Sequence, residues 1–594
     1  MKYAEYLCEN LKINEGYTHC YFVAGGNIMH LLDAVRTRFV CIPVVNEVAA
    51  GIAAEYFNET NKEGHKAFAL VTAGPGLTNI VTAIAGAYLE SRELLVIGGQ
   101  VKRADLKSAD MRQRGIQEID GRAIVEPITN CSVLIKDSLE FGAIKRFLYA
   151  KERPGPVFLE IPLDVQAEQV EYLTNTYLED QTDALDDPKI LKFATEVVEN
   201  LRGSKRPVIL LGGGLSRESA GRLNELLSKT GIPIMTTWNG ADRYGSDQEN
   251  YWGRPNTWGQ RAANMLIQQS DCLIVVGSRL GLQQTGFAWQ EFAPLAKIFQ
   301  VDIDEHEIKK GHPKIYAGLA CDAGKFLQTF LEIFIPGNCD TGEWLTFGTR
   351  VLREFPLNDL NNLTSPGYID PFEFATELSA QLNNQDVVIP CSSGGGFTVM
   401  LQAFNLKYGQ TMVSNKGLAS MGYGLSAAIG ASESTQKRTI LVEGDGGFAQ
   451  NLQELGTVKQ RDPNLKIFIF SNNGYASIRM TQRNYFGGAY LGCDIDTGLG
   501  MPNWEFIAKA YDMPFFEIDD PMRMPDQIGL ILDKDGPCMV ILKIDPEQTF
   551  YPKITSRVLP DGSMASNPLH LMSPDLSSEQ IREFLPYLAG TIKA

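Results

Sequence analysis

Short continuous apolar runs alternate with longer amphipathic stretches along the chain, and most of the runs end in glycine, asparagine or serine. Such unbroken runs are typical of strands that are buried on both faces of a parallel sheet. The alternation therefore predicts an α/β protein. Six runs show the pattern: HKAFALVTAG (65–74), ELLVIGGQ (93–100), RPVILLGGG (206–214), DCLIVVGSR (271–279), RTILVEGDG (438–446) and LKIFIFSNN (465–473).

Polar segments divide this pattern into three blocks. The acidic stretch AEQVEYLTNTYLEDQTDALDDP (167–188) follows the first block, and segments rich in Gly, Pro, Asn and Asp precede the third. A chain of 594 residues is too long for one core, and two to four domains are expected. We predict three doubly wound parallel-sheet domains and a turn-rich tail that lies over a surface, at residues 1–170, 188–335, 371–550 and 551–594.

Composition narrows the classes of partner. The net charge of −17 is spread along the chain, which argues against nucleic acid or an anionic membrane as a partner. No window of about 18 uninterrupted apolar residues occurs, and the N-terminus predicts a helix and a strand rather than a signal peptide. The ten cysteines are scattered without a Cys-x-x-Cys pair, which favours reduced thiols in a cytoplasmic protein.

The stretch GDGGFAQNLQELGTVKQRDPNLKIFIFSNNGY (444–475) predicts a glycine turn after a strand, one helix over 448–460 and the next strand. In a βαβ unit such a turn lies at the carboxyl ends of the strands, where α/β sheets bind ligands. Glycines let backbone amides approach a pyrophosphate, and the helix N-terminus favours its negative charge. A dinucleotide fingerprint has no acid inside this turn, and Asp445 would repel a bare pyrophosphate.

A divalent cation removes this conflict, because Mg²⁺ prefers oxygen ligands and bridges carboxylates to phosphates. An amide oxygen of the Asn472–Asn473 pair, at the end of the neighbouring strand, could reach the same ion. The alternative is that Gly444, Gly446 and Gly447 form only a turn and that the two asparagines only cap a strand.

Together, the Gly-Asp-Gly turn and the Asn-Asn pair resemble the motif of thiamine diphosphate (ThDP)-dependent enzymes. The resemblance implies ThDP and Mg²⁺ as cofactors, with Asp445, the side chain of Asn473 and the backbone carbonyl of Tyr475 as metal ligands. It also implies a homodimer or homotetramer. The active site would then lie between the first domain of one subunit and the third domain of its partner.

That family requires a glutamate from the first domain. The segment CIPVVNEVAAGIAAEYFNE (41–59) supplies Glu47 between a predicted strand and an alanine-rich helix. By itself, a glutamate at a helix start only complements the helix dipole. The resemblance implies that Glu47 bonds N1′ of the aminopyrimidine ring and so promotes loss of the proton from C2 of the thiazolium ring.

Three further segments resemble the acetolactate synthase large-subunit branch of this family, VTAGPGLTNIVTAIAGAYLES (71–91), CSSGGGFTVMLQAF (391–404) and SNKGLASMGYGLSAAIGAS (414–432). By this resemblance Met421 bends the cofactor, and the backbones of Ala419 and Met421 bond its pyrimidine; a core methionine is the alternative. The other implied cofactor contacts are Gly25, Gly74, Asn79, Gly394, Gly395, Gly396, Gly444, Gly446 and Gly447.

Gln117 in GIQEID (115–120) matches a glutamine near the reacting carbons of acetolactate synthases, and a surface loop is the alternative. Two acceptor-recognition features of that branch are missing. SRLGLQQTGF (278–287) replaces an Asp-Asp-Arg stretch, and Gln482 stands near the place of a tryptophan.

Two further features place the chain within the family. The six histidines include no adjacent pair, which disfavours the pyruvate decarboxylase branch. Segments of the middle block resemble the segments that contact FAD in the acetolactate synthase branch. Many relatives keep this domain without a flavin, so both FAD binding and its absence agree with the sequence. These segments are GGGLS (212–216), GRPNTWGQRAAN (253–264), VGSRL (276–280) and VDIDEHEI (301–308).

These features favour an acetolactate synthase-like transferase or lyase. It would decarboxylate a 2-oxo acid, with pyruvate as first candidate, and transfer the activated carbon to a carbonyl acceptor. The missing residues favour an acceptor other than pyruvate, such as a keto-sugar. Acetolactate synthase proper and a simple 2-oxo acid decarboxylase are alternatives. A Rossmann-type nucleotide-binding oxidoreductase or sensor is a hypothesis from another class, but it leaves Glu47, Asp445 and Asn473 unexplained.

Overall fold

The computed structural model describes residues 1–61, 63–108, 110–171, 187–337, 339–558, 561–562 and 564–589. Most of the predicted linker at 167–188 lies outside the described residues. Three parallel sheets follow one another along the chain, which confirms the predicted fold class of three parallel-sheet α/β domains. The exact domain boundaries stay predictions.

The first sheet has six parallel strands in the order β2-β1-β3-β4-β6-β5. Its strands are β1 (Tyr17–Phe22), β2 (Val40–Pro43), β3 (Lys66–Val71), β4 (Leu94–Gln100), β5 (Cys131–Leu134) and β6 (Pro156–Pro162). Its helices are α1 (Tyr3–Glu15), α2 (Met29–Val35), α3 (Glu47–Thr60), α4 (Pro75–Glu90), α5 (Gly121–Val125), α6 (Phe141–Leu148) and α7 (Leu163–Ala167).

The second sheet has five parallel strands in the order β11-β10-β9-β7-β8. Its strands are β7 (Pro207–Leu211), β8 (Ile234–Thr236), β9 (Cys272–Val276), β10 (Lys297–Asp302) and β11 (Ala317–Ala320). The helices are α8 (Pro188–Leu201), α9 (Arg217–Lys229), α10 (Arg261–Gln268), α11 (Leu282–Thr285), α12 (Glu305–Lys309), α13 (Ala323–Ile333) and α14 (Gly342–Glu354).

The third sheet has six parallel strands in the order β13-β12-β14-β15-β17-β16. Its strands are β12 (Val387–Ile389), β13 (Thr411–Met412), β14 (Thr439–Gly444), β15 (Leu465–Ser471), β16 (Phe515–Ile518) and β17 (Cys538–Lys543). The helices are α15 (Pro371–Gln381), α16 (Gly394–Ala403), α17 (Gly424–Thr435), α18 (Asp445–Phe448), α19 (Leu455–Arg461), α20 (Ala476–Phe486), α21 (Trp504–Ala510) and α22 (Met524–Leu532).

Inner strands such as β3, β4 and β9 are buried on both faces, as their unbroken apolar sequences predict, whereas the edge strands β2 and β11 are partly exposed. In β3, Ala67, Ala69 and Val71 enter one hydrophobic core, whereas Phe68 and Leu70 enter another. The first core extends across α3 and α17 into the third domain. The two helices pack closely, because an added Cβ on Gly430 of α17 would lie 2.1 Å from the Ala53 carbonyl oxygen of α3.

The tail joins the third domain to the middle one. It contains a two-stranded antiparallel sheet, β18 (Ser556–Val558) and β19 (Met564–Ser566), and helix α23 (Ser578–Phe584). Leu569, Phe584 and Leu588 are buried in a core shared with α10 of the middle domain. Among the described residues, no helix combines the length and the apolar character needed to cross a bilayer.

The predicted single helix over 448–460 is wrong. Asp445 opens the short helix α18, a 3-10 turn occupies Leu452–Glu454, and α19 follows. The break gives two buried polar side chains their partners. Asn451 donates to the Ser426 hydroxyl at 2.5 Å, and the Glu454 carboxylate accepts from the backbone of residues 45–46.

Candidate functional site

The strand order of the third sheet changes direction between β12 and β14, and the loops that leave their carboxyl ends diverge there. Ligands of α/β proteins bind at such a crevice. The end of β12 leads to Gly394–Gly396 in the first turn of α16, and β14 leads to Gly444. A Cβ built on Gly394 or Gly444 would meet no atom within 4 Å. The crevice is therefore open and bordered by backbone amides.

Asp445 lies beside this crevice as the first residue of α18, and its side chain is 1% exposed. Its Oδ1 accepts from the amide of Gly446 at 2.7 Å, and its Oδ2 accepts from the amides of Asn472 and Gly474 at 3.0 and 3.2 Å. Burial raises the pKa of the Asp445 carboxyl to about 6, although these amides oppose the shift. The carboxylate is thus oriented by the loop after β15.

That loop brings Asn473 and Tyr475 to the same place. Asn473 has a left-handed backbone with a φ of 65°, and Gly474 has a φ of 122°. A Cβ on Gly446 would lie 2.4 Å from the Tyr475 ring, so Gly446 gives this ring room. Left-handed non-glycine residues gather at binding sites, where the surrounding structure compensates for their strain.

These residues fit a magnesium ion. They offer one carboxylate, one side-chain amide and one carbonyl, all oxygen donors of the kind that Mg²⁺ prefers. The Tyr475 carbonyl also accepts from the amides of Ile478 and Arg479 at 3.0 and 2.9 Å, so a metal would share this oxygen with the first turn of α20. In the described part of the chain, no group of three or more His, Cys, Asp and Glu residues is placed to hold a metal. An ion at Asp445 would therefore need further oxygen ligands, which the phosphates of a cofactor in the adjoining crevice can supply.

The segment between β13 and α17 completes this side of the site. Ala419 has a φ of 54°, and Met421 is 39% exposed. The Gln450 amide donates to the Met421 sulfur at 3.5 Å and to the Tyr475 hydroxyl at 3.3 Å. The Ser420 carbonyl accepts from the Ser392 hydroxyl. The structure thus brings the predicted residues of the third domain into one group.

Glu47 is the first residue of α3 in the first domain. The Asn46 side chain caps the helix by accepting from the amide of Val48 at 3.1 Å. Glu47 is 8% exposed, and its Oε2 accepts from the Asn79 amide at 2.9 Å. Within the described residues its Oε1 forms no hydrogen bond. One carboxylate oxygen therefore stays available for a ligand.

Gly74 and Gln117 also meet in the first domain. A Cβ on Gly74, which has a φ of 66°, would lie 2.4 Å from the Gln117 carbonyl oxygen. Gln117 has a φ of 62°. The next residue, Glu118, orients this loop because its carboxylate accepts from the amides of Arg114 and Gly115 at 2.9 Å each.

Gly25 has a packing partner instead of an open crevice. A Cβ on Gly25 would lie 2.4 Å from the Cβ of Thr72. The first-domain group and the third-domain group belong to different sheets, and Glu454 links them. Its Oε1 accepts from the amides of Val45 and Asn46, just before Glu47, at 3.1 and 3.0 Å.

Sequence reasoning missed several residues around the site. Glu443, just before Gly444, is 2% exposed, and burial raises its pKa to about 8. A Cβ on Gly424 would lie 2.5 Å from its Oε2, and a Cβ on Gly447 would lie 2.9 Å from its Oε1. An acid inside an otherwise apolar strand, RTILVE, was the available signal.

The helix after Tyr475 supports the neighbouring loop. Gln482 exchanges two hydrogen bonds with the backbone of Leu491, at 3.1 and 2.9 Å. Buried Arg479 donates to the carbonyls of Asn472 and Pro546 at 2.8 and 2.9 Å. The stretch that differs from acetolactate synthases is therefore anchored directly to the Asn472–Tyr475 loop.

The middle domain has its own change of strand direction between β7 and β9. Gly212 follows β7 and Gly277 follows β9, and a Cβ on Gly212 would lie 2.2 Å from the Gly277 carbonyl oxygen. The two strand ends are thus in contact. Arg279, two residues farther on, is exposed.

Three family models match the chain in succession. The N-terminal TPP binding domain of thiamine pyrophosphate enzymes matches residues 1–124, the central domain matches 194–330, and the C-terminal TPP binding domain matches 393–542.

Similar curated proteins cover nearly the whole chain. The acetolactate synthase isozyme 1 large subunit of Escherichia coli is 28% identical over 90% of this chain and 92% of its own length. The probable acetolactate synthase large subunit of Methanocaldococcus jannaschii is 29% identical over 92% of this chain and 93% of its own. For the chloroplastic acetolactate synthase 1 of Zea mays the values are 27%, 93% and 87%.

Proposed function

The chain belongs to the family of thiamine diphosphate-dependent enzymes, and from this premise we propose that it decarboxylates a 2-oxo acid and transfers the remaining acyl carbon to a carbonyl acceptor. Pyruvate is the first candidate for the 2-oxo acid. The observation that carries the proposal is that each of the two outer domains places a buried acid at a helix start, Glu47 in the first domain and Asp445 in the third. The family assignment replaces the hypothesis of a Rossmann-type oxidoreductase or sensor.

Each group of residues has a distinct task in this proposal. Asp445, Asn473 and the carbonyl of Tyr475 would hold Mg²⁺, and the amides of Gly394–Gly396 and Gly444 would receive the diphosphate. Ala419 and Met421 would position the aminopyrimidine. When bound, ThDP supplies a carbon nucleophile and accepts the electron pair that decarboxylation releases.

Glu47 would perform the proton chemistry of the chain. Asn79 fixes one of its carboxylate oxygens, which leaves the other free to hold a proton at the ring nitrogen of the cofactor. Gln117, positioned against Gly74, would donate its amide to the oxygen of the substrate. Exclusion of water by the bound cofactor and substrate would let a carbonyl acceptor compete with protonation.

The proposal also specifies the class of acceptor. The stretches 278–287 and 480–500 differ from acetolactate synthases at the positions that recognise the second keto acid, which favours a keto-sugar or another aldehyde or ketone. Acetolactate formation and simple release of an aldehyde are the alternative outcomes.

We further propose a homodimer or homotetramer in which the Glu47 and Asp445 that serve one cofactor come from different subunits.

Product analysis tests this function. The purified protein is incubated with ThDP, Mg²⁺ and ¹³C-labelled pyruvate, alone and with a panel of keto-sugars, aldehydes and 2-oxo acids, and products are identified by mass spectrometry. Label in an adduct with a non-pyruvate acceptor supports the proposal. Label only in acetolactate or acetaldehyde identifies one of the alternatives, and absence of ¹³CO₂ release from any 2-oxo acid overturns it. The visible spectrum of the same sample detects FAD.

A further inference from the structure

A buried polar cluster joins α3 to the segment that precedes α17, at the contact between the first and third domains. Its members are Glu55 of α3, Arg92 just after α4, and Tyr423, which are 0%, 7% and 1% exposed. Arg92 donates to Glu55 Oε1 at 2.9 Å, and the Tyr423 hydroxyl donates to Glu55 Oε2 at 2.5 Å. Both carboxylate oxygens of a fully buried glutamate are therefore satisfied.

Arg92 makes a second contact, which connects the cluster to the start of the segment before α17. Its Nη2 donates to the backbone carbonyl of Ser414 at 2.6 Å. Ser414 and Tyr423 are the two ends of the segment 414–423, which connects β13 to α17. One buried glutamate and one arginine thus hold both ends of the segment that contains Ala419 and Met421.

The surroundings are built around this cluster. A Cβ on Gly86 of α4 would lie 2.2 Å from the Tyr423 hydroxyl. A glycine inside a helix weakens the helix, but here only a glycine leaves enough space for this hydroxyl. Burial raises the pKa of Glu55 to about 7, while Arg92 and Tyr423 act against the shift. The stability of a buried carboxylate depends on such partners, because removing one of them leaves the remaining buried polar groups without a hydrogen bond.

The middle of the segment faces the site. Met421 connects through Gln450 to Tyr475, and the Ser420 carbonyl accepts from Ser392, next to the glycines of α16. Ala419 keeps a left-handed backbone that an L-residue adopts only under constraint. A segment with this conformation needs its ends fixed.

We propose that Glu55, Arg92 and Tyr423 are positioning residues that hold segment 414–423 in the conformation that receives the aminopyrimidine of ThDP. The proposal rests on the proposed placement of Ala419 and Met421 at the cofactor. It does not depend on which 2-oxo acid or acceptor the enzyme uses. None of the three residues touches the reacting atoms, so their effect reaches the cofactor only through the segment.

The test compares two hydroxyl deletions at opposite ends of α17. Tyr423→Phe removes the bond to Glu55 and keeps the ring. Ser434→Ala is the matched control, because Ser434 bonds Thr60 of α3 at 2.5 Å, across the same helix pair but far from the segment. ThDP binding in the presence of Mg²⁺ is measured by isothermal titration calorimetry on the full-length protein freed of cofactor.

We expect the Kd of Tyr423→Phe for ThDP to rise about tenfold, as for a lost buried hydrogen bond to a charged group, and that of Ser434→Ala to stay at the wild-type value. The apparent KM for ThDP should rise in parallel, with kcat at saturating ThDP little changed. Arg92→Lys, which cannot bond Glu55 and Ser414 together, should weaken binding as well. Thermal unfolding checks that both hydroxyl variants are folded at the temperature of the titration.

Equal ThDP affinity in wild type and Tyr423→Phe would overturn the proposal, and so would an equal loss in Ser434→Ala. Glu55→Gln gives a second arm, because its amide has one acceptor oxygen instead of two and carries no charge. It cannot accept from both Arg92 and Tyr423 as Glu55 does, and it should also weaken ThDP binding. A wild-type protein that binds ThDP but releases no CO₂ from any 2-oxo acid would contradict the proposed function and leave this binding test intact.

Discussion

The first and third sheets have the same strand order, with β12–β17 repeating the arrangement of β1–β6. In both, the order changes direction between equivalent strands, β1 and β3 in the first sheet and β12 and β14 in the third. The first crevice is filled at Gly25, which packs on Thr72, while the next residue, Gly26, meets open space. The third is open at Gly394 and Gly444. The same strand order therefore places a crevice at the same position in both sheets. The residues that line each crevice differ, and on the proposed function they determine which crevice can receive a diphosphate.

The equivalent loops also differ in their chemistry. The loop after β2 ends in Glu47, and the equivalent loop after β13 contains Ala419 and Met421. After β3 comes the uncharged Gly74-Pro75 turn, whereas after β14 comes Asp445. On the proposed function, the first domain would thus offer a proton-transfer group, and the third would offer the metal and diphosphate ligands. Three predictions test this division, and a fourth concerns the stability of the tail.

The largest effect is expected for Asp445→Ala. Loss of the one carboxylate in the proposed metal site should weaken ThDP binding with Mg²⁺ by about two orders of magnitude or more. Calorimetric titration of the full-length protein measures it. Asp496→Ala, which removes an exposed carboxylate of the same domain, should bind normally. Normal binding by Asp445→Ala would place the metal elsewhere.

Glu47→Gln should separate chemistry from binding. The amide keeps the shape and the Asn79 contact, but it cannot hold a proton for the cofactor. We expect CO₂ release to fall by roughly 10²–10⁴-fold, while the ThDP affinity changes little. A stopped-flow or coupled assay at saturating ThDP gives the rate. Wild-type CO₂ release by this variant would contradict the role of Glu47.

Gly25→Ala and Gly444→Ala compare the two crevices directly. Both glycines have φ angles that alanine accepts, −159° and −79°. The first change forces Thr72 aside, so stability should fall by about 1–3 kcal/mol. The second meets open space, so the melting temperature should hold while ThDP binding weakens. Gly25→Ala with normal stability and weakened binding would instead show that Gly25 contacts the cofactor.

The smallest effect concerns His570 in the tail, far from both crevices along the chain. Burial lowers its pKa to about 4, and the Gln268 amide donates to its Nδ1 at 3.1 Å. The unfolded state, with a pKa near 6.5, binds the proton more readily, so stability is complete above about pH 6.5 and decreases as the pH falls toward 4.

Between pH 7 and pH 5 we expect a loss of about 2 kcal/mol from this group. Denaturant unfolding at the two pH values measures it, and His570→Gln should remove that part of the pH dependence. The control is His306→Gln, because the His306 side chain is 97% exposed. An unchanged pH dependence in His570→Gln would mean that His570 titrates normally.

Much of the fold could be predicted from sequence, because strands buried on both faces have unbroken apolar sequences such as LKIFIF. The helix over 448–460 could not. Its break depends on Asn451 and Glu454, whose partners Ser426 and Asn46 are distant in sequence. The Glu55–Arg92–Tyr423 cluster was missed for the same reason. An acid, a base and a phenol in separate segments have no local pattern until the three segments meet.

Among the site residues, sequence was most informative where a local motif includes its own chemistry. Gly-Asp-Gly and Asn-Asn are such motifs, and the structure brings Asp445 and the Asn472–Tyr475 loop together. The contact of Thr72 with Gly25 in the first crevice could not be predicted, since it depends on the approach of two strands. The roles of Glu47 and Gln117 stay predictions that the variants above test.

The Gln482–Leu491 anchor has a consequence for how this enzyme can change. The loop between α20 and α21 is attached to α20, the helix that follows the Asn472–Tyr475 loop. The attachment consists of two hydrogen bonds between the Gln482 side chain and the backbone of Leu491. Three side chains of the attached loop support the proposed cofactor site: Asp494 pairs with Arg479 at 3.5 Å, Leu499 lies against Gly474, and Cys493 is buried. Residues 487–492 at the start of the loop are exposed or half-buried, so their side chains can be replaced without altering that site. If the proposed function holds, evolution, or a laboratory library restricted to residues 487–492, can change the acceptor while the proposed decarboxylation is kept. On that proposal, acceptor specificity can change independently of cofactor binding.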